Sequence, residues 1–133
     1  MNTARSLVAA AFSLAVIATA SSQAKADADP AKERSTAATH AGLAAKSTDL
    51  KMTQMHLHHV VNCLVGPNGK GFDATPGNPC KDQGNGAIPD TKDQAQKTKL
   101  EQALQKADAG LRQTDMAKAQ QDATDAQGLL ASK

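Results

Sequence analysis

Residues 52–63 of this 133-residue chain read Met-Thr-Gln-Met-His-Leu-His-His-Val-Val-Asn-Cys. At about 100° per residue, a helix over this stretch gathers its sulfur and imidazole groups on one face, namely Met52, His56, His59 and Cys63, with Met55 beside them. His58 points away from that face. Imidazole and thioether groups are ligands of soft and borderline metal ions. The stretch therefore predicts a helix with a candidate metal-binding face.

A line of leucines indicates how this helix packs. Leu57 and Leu64 are seven residues apart, and Leu43 and Leu50 continue the same spacing towards the N-terminus. Residues at this interval lie on one side of a helix. We expect the four leucines to share one apolar face.

Residues 1–26 have the layout of a secretory signal peptide. Arg5 supplies the positive charge, and the apolar run at 7–18 is too short to span a bilayer. Small residues follow, with possible cleavage after Ala20, Ala26 or Ala28, so the cleavage site is left open and Ala26 serves as the working boundary. An uncleaved anchor is the less favoured alternative. We expect a periplasmic or secreted protein, in an oxidising compartment.

The composition of the mature chain, residues 27–133, restricts its partners and its core. It carries 13 basic and 13 acidic residues and a single aromatic, Phe72, so neither nucleic acid nor a membrane surface is expected to bind it after cleavage. Only 14 of its 107 residues are Leu, Ile, Val or Phe, beside 18 Ala. Such a composition favours a slim helical bundle that needs a covalent staple.

Signals for helix starts and ends predict the architecture. Starts are indicated at Asp29-Pro30, Pro89-Asp90 and Thr114-Asp115, a turn and a restart at 46–49, and an end at Gly66-Pro67. We therefore predict an all-α fold, an antiparallel four-helix bundle of two helical hairpins, as a single domain over residues 27–133.

One alternative keeps residues 31–65 as a single helix of about 52 Å. A hairpin over residues 91–131 would cover barely half of that length. A weak repeat also favours four helices, since Ala41-Gly-Leu43 and Ala109-Gly-Leu111 each precede a Thr-Asp restart.

Residues 66–89 are expected to form a long irregular loop. They contain six Gly, four Pro and three Asn, a density that gives turns rather than a regular element. Cys80 lies in this loop, and the two cysteines of the chain are expected to pair as Cys63–Cys80 in an oxidising compartment. From chain entropy, such a disulfide would stabilise the folded protein by about 3 kcal/mol. Loops of this length are often functional, so a periplasmic partner protein could dock here.

The histidines allow a candidate site to be assembled. His56 and His59, at i and i+3, can aim at one ion, and His40 lies as far before the predicted turn as His56 lies after it. An antiparallel hairpin would bring the three together. Imidazole suits Cu, Ni or Zn, and Met52 and Met55 would add thioether ligands for Cu⁺. The identity of the metal is left open.

The stretch from His56 to Pro67, His-Leu-His-His-Val-Val-Asn-Cys-Leu-Val-Gly-Pro, with Gly71-Phe-Asp73 and Asn78-Pro-Cys80 after it, resembles a group of small secreted bacterial proteins. The resemblance covers about a quarter of the chain and implies secretion, but it implies no activity. More loosely, the design is similar to small periplasmic metal-binding helical-bundle proteins and to the cytochrome b562 class.

Other functions stay open as alternatives. A structural or partner-binding bundle without metal is one. Binding of b-type haem through a histidine and Met116 is another, although the chain has few large apolar residues to enclose the ring. No nucleophile–base–orienter set is visible, and Glu33 and Glu101 are the only glutamates. We therefore do not expect an enzyme.

Overall fold

The computed structural model describes residues 27–132, so the predicted signal peptide lies outside the described residues. Within this range the chain forms five helices and no strand: α1 Pro30–Ala45, α2 Leu50–Val65, α3 Ala87–Asp90, α4 Gln94–Leu111 and α5 Met116–Ala131. The prediction of an all-α helical bundle is confirmed. None of the helices in this range is long and apolar enough to cross a membrane.

Each of the four long helices begins with an aspartate cap. In every case the carboxylate accepts a hydrogen bond at 2.7–2.9 Å from the backbone N–H three residues on, at Asp29, Asp49, Asp93 and Asp115. Such a cap satisfies an N–H that has no partner inside the helix, and its loss costs about 0.5–2 kcal/mol. The four aspartates thus set where the long helices start.

Two separate helices occupy residues 31–65, as the capping signals predict. α1 ends at Ala45, and Asp49 restarts the chain in extended geometry before α2. α2 then ends at Gly66, whose φ of 69° suits a residue without a Cβ. The alternative of a single long helix is wrong.

The predicted start of the next helix at Pro89-Asp90 is wrong. One short turn, α3, begins inside the segment predicted to be irregular and ends one residue beyond it, and α4 begins only at Gln94. Asp90 does not cap α4, because both of its carboxylate oxygens accept hydrogen bonds from Asn85, one from the backbone N–H at 2.6 Å and one from the side chain at 3.0 Å. Asp93 caps α4 instead.

The core consists of large side chains from α2 packed against alanines of the other helices. The buried residues of α2 include Leu57, Val60, Val61 and Leu64. α1 and α5 face them mainly with alanine, and α4 adds Leu100 beside Ala103 and Ala107. Small residues let helices approach closely, and this explains how so few large apolar side chains can close a core.

The predicted line of four leucines does not continue across the turn. Leu57 and Leu64 are fully buried, but Leu43 is 45% exposed and Leu50 is only partly buried. The regular spacing holds only within one helix, and residues 43 and 57 belong to different helices.

The long helices pack in pairs: α1 lies against α2 and α5, and α4 lies against α5 and α2. Gly110 of α4 marks one close approach, since a Cβ on it would stand 2.6 Å from Cδ1 of Leu57. The antiparallel order of the four helices stays a prediction.

The predicted disulfide Cys63–Cys80 is confirmed. Both cysteines are buried, and the bond ties the long loop to the end of α2. Within residues 27–132 no free cysteine remains.

Candidate metal centre

Three histidines from two helices meet at one point, as the sequence predicts. His40 on α1 and His56 on α2 bring their Nδ1 atoms to 3.2 Å, and Nδ1 of His59, one turn further along α2, also lies 3.2 Å from Nδ1 of His40. Each of the three offers a nitrogen, and these atoms lie within 4.8 Å of one another. The cluster could hold a metal ion.

The tautomer of His59 follows from its second nitrogen. Nε2 lies 2.7 Å from the carbonyl oxygen of Pro76. A carbonyl only accepts hydrogen bonds, so Nε2 carries the proton, and in the neutral ring Nδ1 presents a lone pair. The loop therefore leaves the Nδ1 lone pair of His59 directed at His40.

The spacing of the nitrogens matches two ligands of one ion. Nitrogens that are 3.2 Å apart, each about 2.05 Å from the same ion, subtend about 100° at that ion, which is near the tetrahedral angle. Without an ion, Nδ1 of His40 faces two other Nδ1 atoms and can carry only one proton. One proton cannot form two linear hydrogen bonds, so an ion satisfies this arrangement better than hydrogen bonding does.

Burial favours the neutral state of His40 and His56, which is the state that coordinates metal. Burial, followed by the nearby charges of His59 and His56, lowers the pKa of His40 to about 4. Burial and the charge of His59 also lower the pKa of His56. Near neutral pH both rings therefore offer lone pairs.

The two methionines predicted as Cu⁺ ligands lie on the same helix as His56 and His59. Met52, on the first turn of α2, is 40% exposed, and Met55 is partly buried. Their role as Cu⁺ ligands stays a prediction. Cys63 is engaged in the disulfide. His58 is outside the cluster and lies within electrostatic reach of Asp73.

Asn62 is a residue of this region whose role the sequence analysis missed. It is fully buried, and its amide donates to the carbonyls of Asp73 at 2.6 Å and Gly77 at 2.7 Å, while its oxygen accepts from the N–H of Asp73 at 3.0 Å. The sequence does indicate that Asn62 needs hydrogen-bond partners, because it is the one amide in the apolar stretch 60–65 and a buried polar group must be hydrogen-bonded. Which partners it takes depends on the loop and could not be read from α2.

Comparison with known proteins gives no further assignment: no protein-family model, no curated protein and no solved structure matches the chain. The geometry of the site therefore carries the functional argument.

Proposed function

We propose that this protein binds one transition-metal ion per chain through the Nδ1 atoms of His40, His56 and His59. The observation that carries the proposal is the pair of 3.2 Å contacts that Nδ1 of His40 makes with the other two rings. Two neighbours at this distance fit a shared ion, whereas one proton can serve only one of them well. The carbonyl oxygen of Pro76 accepts from Nε2 of His59 the hydrogen bond that metal-bound histidines usually make with their second nitrogen.

The chemistry of the ligands selects the class of ion. Three imidazoles suit Cu²⁺, Ni²⁺ or Zn²⁺ and are poor ligands for Mg²⁺ or Ca²⁺, which prefer oxygen. Copper is our first choice, because Met52 and Met55 stand on the same helix and thioethers favour Cu⁺. If this is correct, replacing both methionines with leucine weakens Cu⁺ binding and leaves Cu²⁺ and Ni²⁺ binding unchanged.

The rest of the design supports the same proposal. The disulfide is consistent with an oxidising compartment, and we propose that the mature protein works in the periplasm or outside the cell. We further propose that the four long helices run antiparallel, an arrangement in which the α1–α2 hairpin brings His40 level with His56.

The test is calorimetric titration of the untagged protein with Cu²⁺ and Ni²⁺, at about one ion per chain. His40→Ala, His56→Ala and His59→Ala should each weaken binding by at least about tenfold, because each removes one of three ligands. His58→Ala is the matched control, since this histidine belongs to the same helix but not to the cluster. If His58→Ala weakens binding as much as the other three, or if the unsubstituted protein binds no tighter than a surface histidine pair, the proposal is wrong.

A further inference from the structure

The orientation of His59 depends on a carbonyl that comes from the long loop. Nε2 of His59 donates to Pro76 across 2.7 Å, and the two residues are separated by 17 positions in the sequence. A hydrogen bond of this kind restricts both the tautomer and the rotation of a metal-binding ring. Whatever holds Pro76 in position therefore also holds His59.

Asn62 fastens the loop on both sides of Pro76. Lying three residues after His59 on α2, it bonds to both backbone groups of Asp73 before the proline and to the carbonyl of Gly77 directly after it. The amide of Asn62 is fully buried, and each of its three bonds goes to the main chain. The segment 73–77 is thus fixed to the same helix as His59 and moves with it.

Gly77 directs the carbonyl of Pro76. The carbonyl belongs to the peptide plane that joins the two residues, and the orientation of this plane is coupled to φ of Gly77. That angle is 100°, a value that residues with a side chain rarely adopt. The space around Gly77 is ample, since a Cβ would come no closer to His59 than 3.8 Å from Nε2. The need for glycine therefore lies in the backbone angle and not in crowding.

We propose that Asn62 and Gly77 are positioning residues of the metal centre: they hold the Pro76 carbonyl on Nε2 of His59 and so raise metal affinity without touching the ion. The inference rests on the proposed function of the three histidines. It also gives the long loop a role at the site, as a brace that fixes one ligand. Removing such a brace typically weakens metal binding 10- to 100-fold.

The experiment combines two readouts on the unsubstituted protein, Asn62→Ala and Gly77→Ala. Long-range ¹H–¹⁵N correlation spectra of the metal-free proteins report whether His59 carries its proton on Nε2. Calorimetric titration with Cu²⁺ reports affinity. Asn62→Ala also removes buried hydrogen bonds and lowers stability, so Leu130→Ala serves as a control that destabilises the core through a residue outside the loop and the histidine cluster. Gly77→Ala, in the loop, tests the same idea with less risk to folding.

The expected result is a mixture of His59 tautomers and 10- to 100-fold weaker Cu²⁺ binding in both loop-directed variants, with neither change in Leu130→Ala. If both variants bind Cu²⁺ within about twofold of the unsubstituted protein, the brace is wrong and the proposed function stands. If affinity falls while His59 keeps its Nε2 proton, the loss does not come through Pro76, and the inference is again overturned. If the unsubstituted protein binds no Cu²⁺, the proposed function fails and this inference with it.

Discussion

Glu33 on α1 accepts a hydrogen bond at 2.8 Å from the backbone N–H of Gly86, and its side chain is buried, with 1% of the residue exposed. This bond joins the start of α1 to the far end of the long loop. Burial raises the pKa of Glu33 to about 7; the Gly86 N–H acts in the opposite direction, and the negative charges of Asp90 and Asp29 raise it further. At acidic pH the buried group is therefore a neutral carboxylic acid.

This carboxyl makes stability depend on pH. Folding raises the pKa of Glu33 from 4.5 to about 7. The contribution of this group to the unfolding free energy is therefore complete below pH 4.5 and is lost as pH rises through 7. In Glu33→Gln the side chain stays neutral at every pH. Relative to the unsubstituted protein, we expect the unfolding free energy of this variant to rise by about 2–3 kcal/mol between pH 5 and pH 8. Denaturant titration at several pH values measures the difference.

The control for this prediction is Glu101→Gln, which neutralises the exposed glutamate of α4. Its stability difference from the unsubstituted protein should stay constant over the same pH range. Equal pH dependence in the two variants would contradict the role of Glu33. His40 is present in all three proteins, so its titration cancels in the comparison.

Two helical glycines should respond in opposite ways to alanine. Alanine has the higher helix propensity, worth up to about 1 kcal/mol. At Gly128 a new Cβ meets nothing within 4 Å, so Gly128→Ala should stabilise the protein by about 0.5–1 kcal/mol. At Gly110 the Cβ would stand 2.6 Å from Cδ1 of the fully buried Leu57, so Gly110→Ala should destabilise it by about 1–3 kcal/mol.

Thermal or denaturant unfolding of both variants checks this pair, and each serves as the control for the other. If Gly110→Ala is as stabilising as Gly128→Ala, then α2 and α4 do not approach as closely as the packing requires.

The meeting of the three histidines could be predicted from local chemistry, whereas the hydrogen bond that holds His59 could not. The cap at Asp49 and the equal distances of His40 and His56 from the turn are local facts, and they determine which residues meet. The carbonyl that holds His59 belongs to Pro76, and nothing in a loop rich in Gly and Pro indicates which peptide group turns towards α2. The start of α4 could not be predicted for a related reason, because the side chain of Asp90 accepts hydrogen bonds from Asn85 and leaves the cap to Asp93.

The disulfide should account for a large share of the stability. The chain-entropy estimate for a loop of this size is about 3 kcal/mol. The double substitution Cys63→Ala/Cys80→Ala removes this cross-link, so we expect it to lower the unfolding free energy by about that amount and to lower Tm. In the unsubstituted protein, unfolded in denaturant, thiol titration should find no free thiol before reduction and two after it. Two thiols before reduction would contradict the bond.

Metal affinity should resist mild acid better than three ordinary histidines would. A proton competes with the ion at each imidazole, so three groups with a pKa near 6.5 would lose about sixfold in affinity between pH 7.5 and 6.5. Burial lowers the pKa of His40 to about 4 and also lowers that of His56, so over this interval His40 stays neutral and His56 binds a proton less readily than an ordinary imidazole. We therefore expect a loss of less than about threefold over the same step.

Competition titrations with Ni²⁺ at pH 7.5, 6.5 and 5.5 measure this dependence. His58→Ala is again the control, and its profile should superimpose on that of the unsubstituted protein. A sixfold or greater loss by pH 6.5 would mean that His40 and His56 titrate as exposed imidazoles. In that case the partly buried, converging geometry of the three rings would not describe the site that binds the ion.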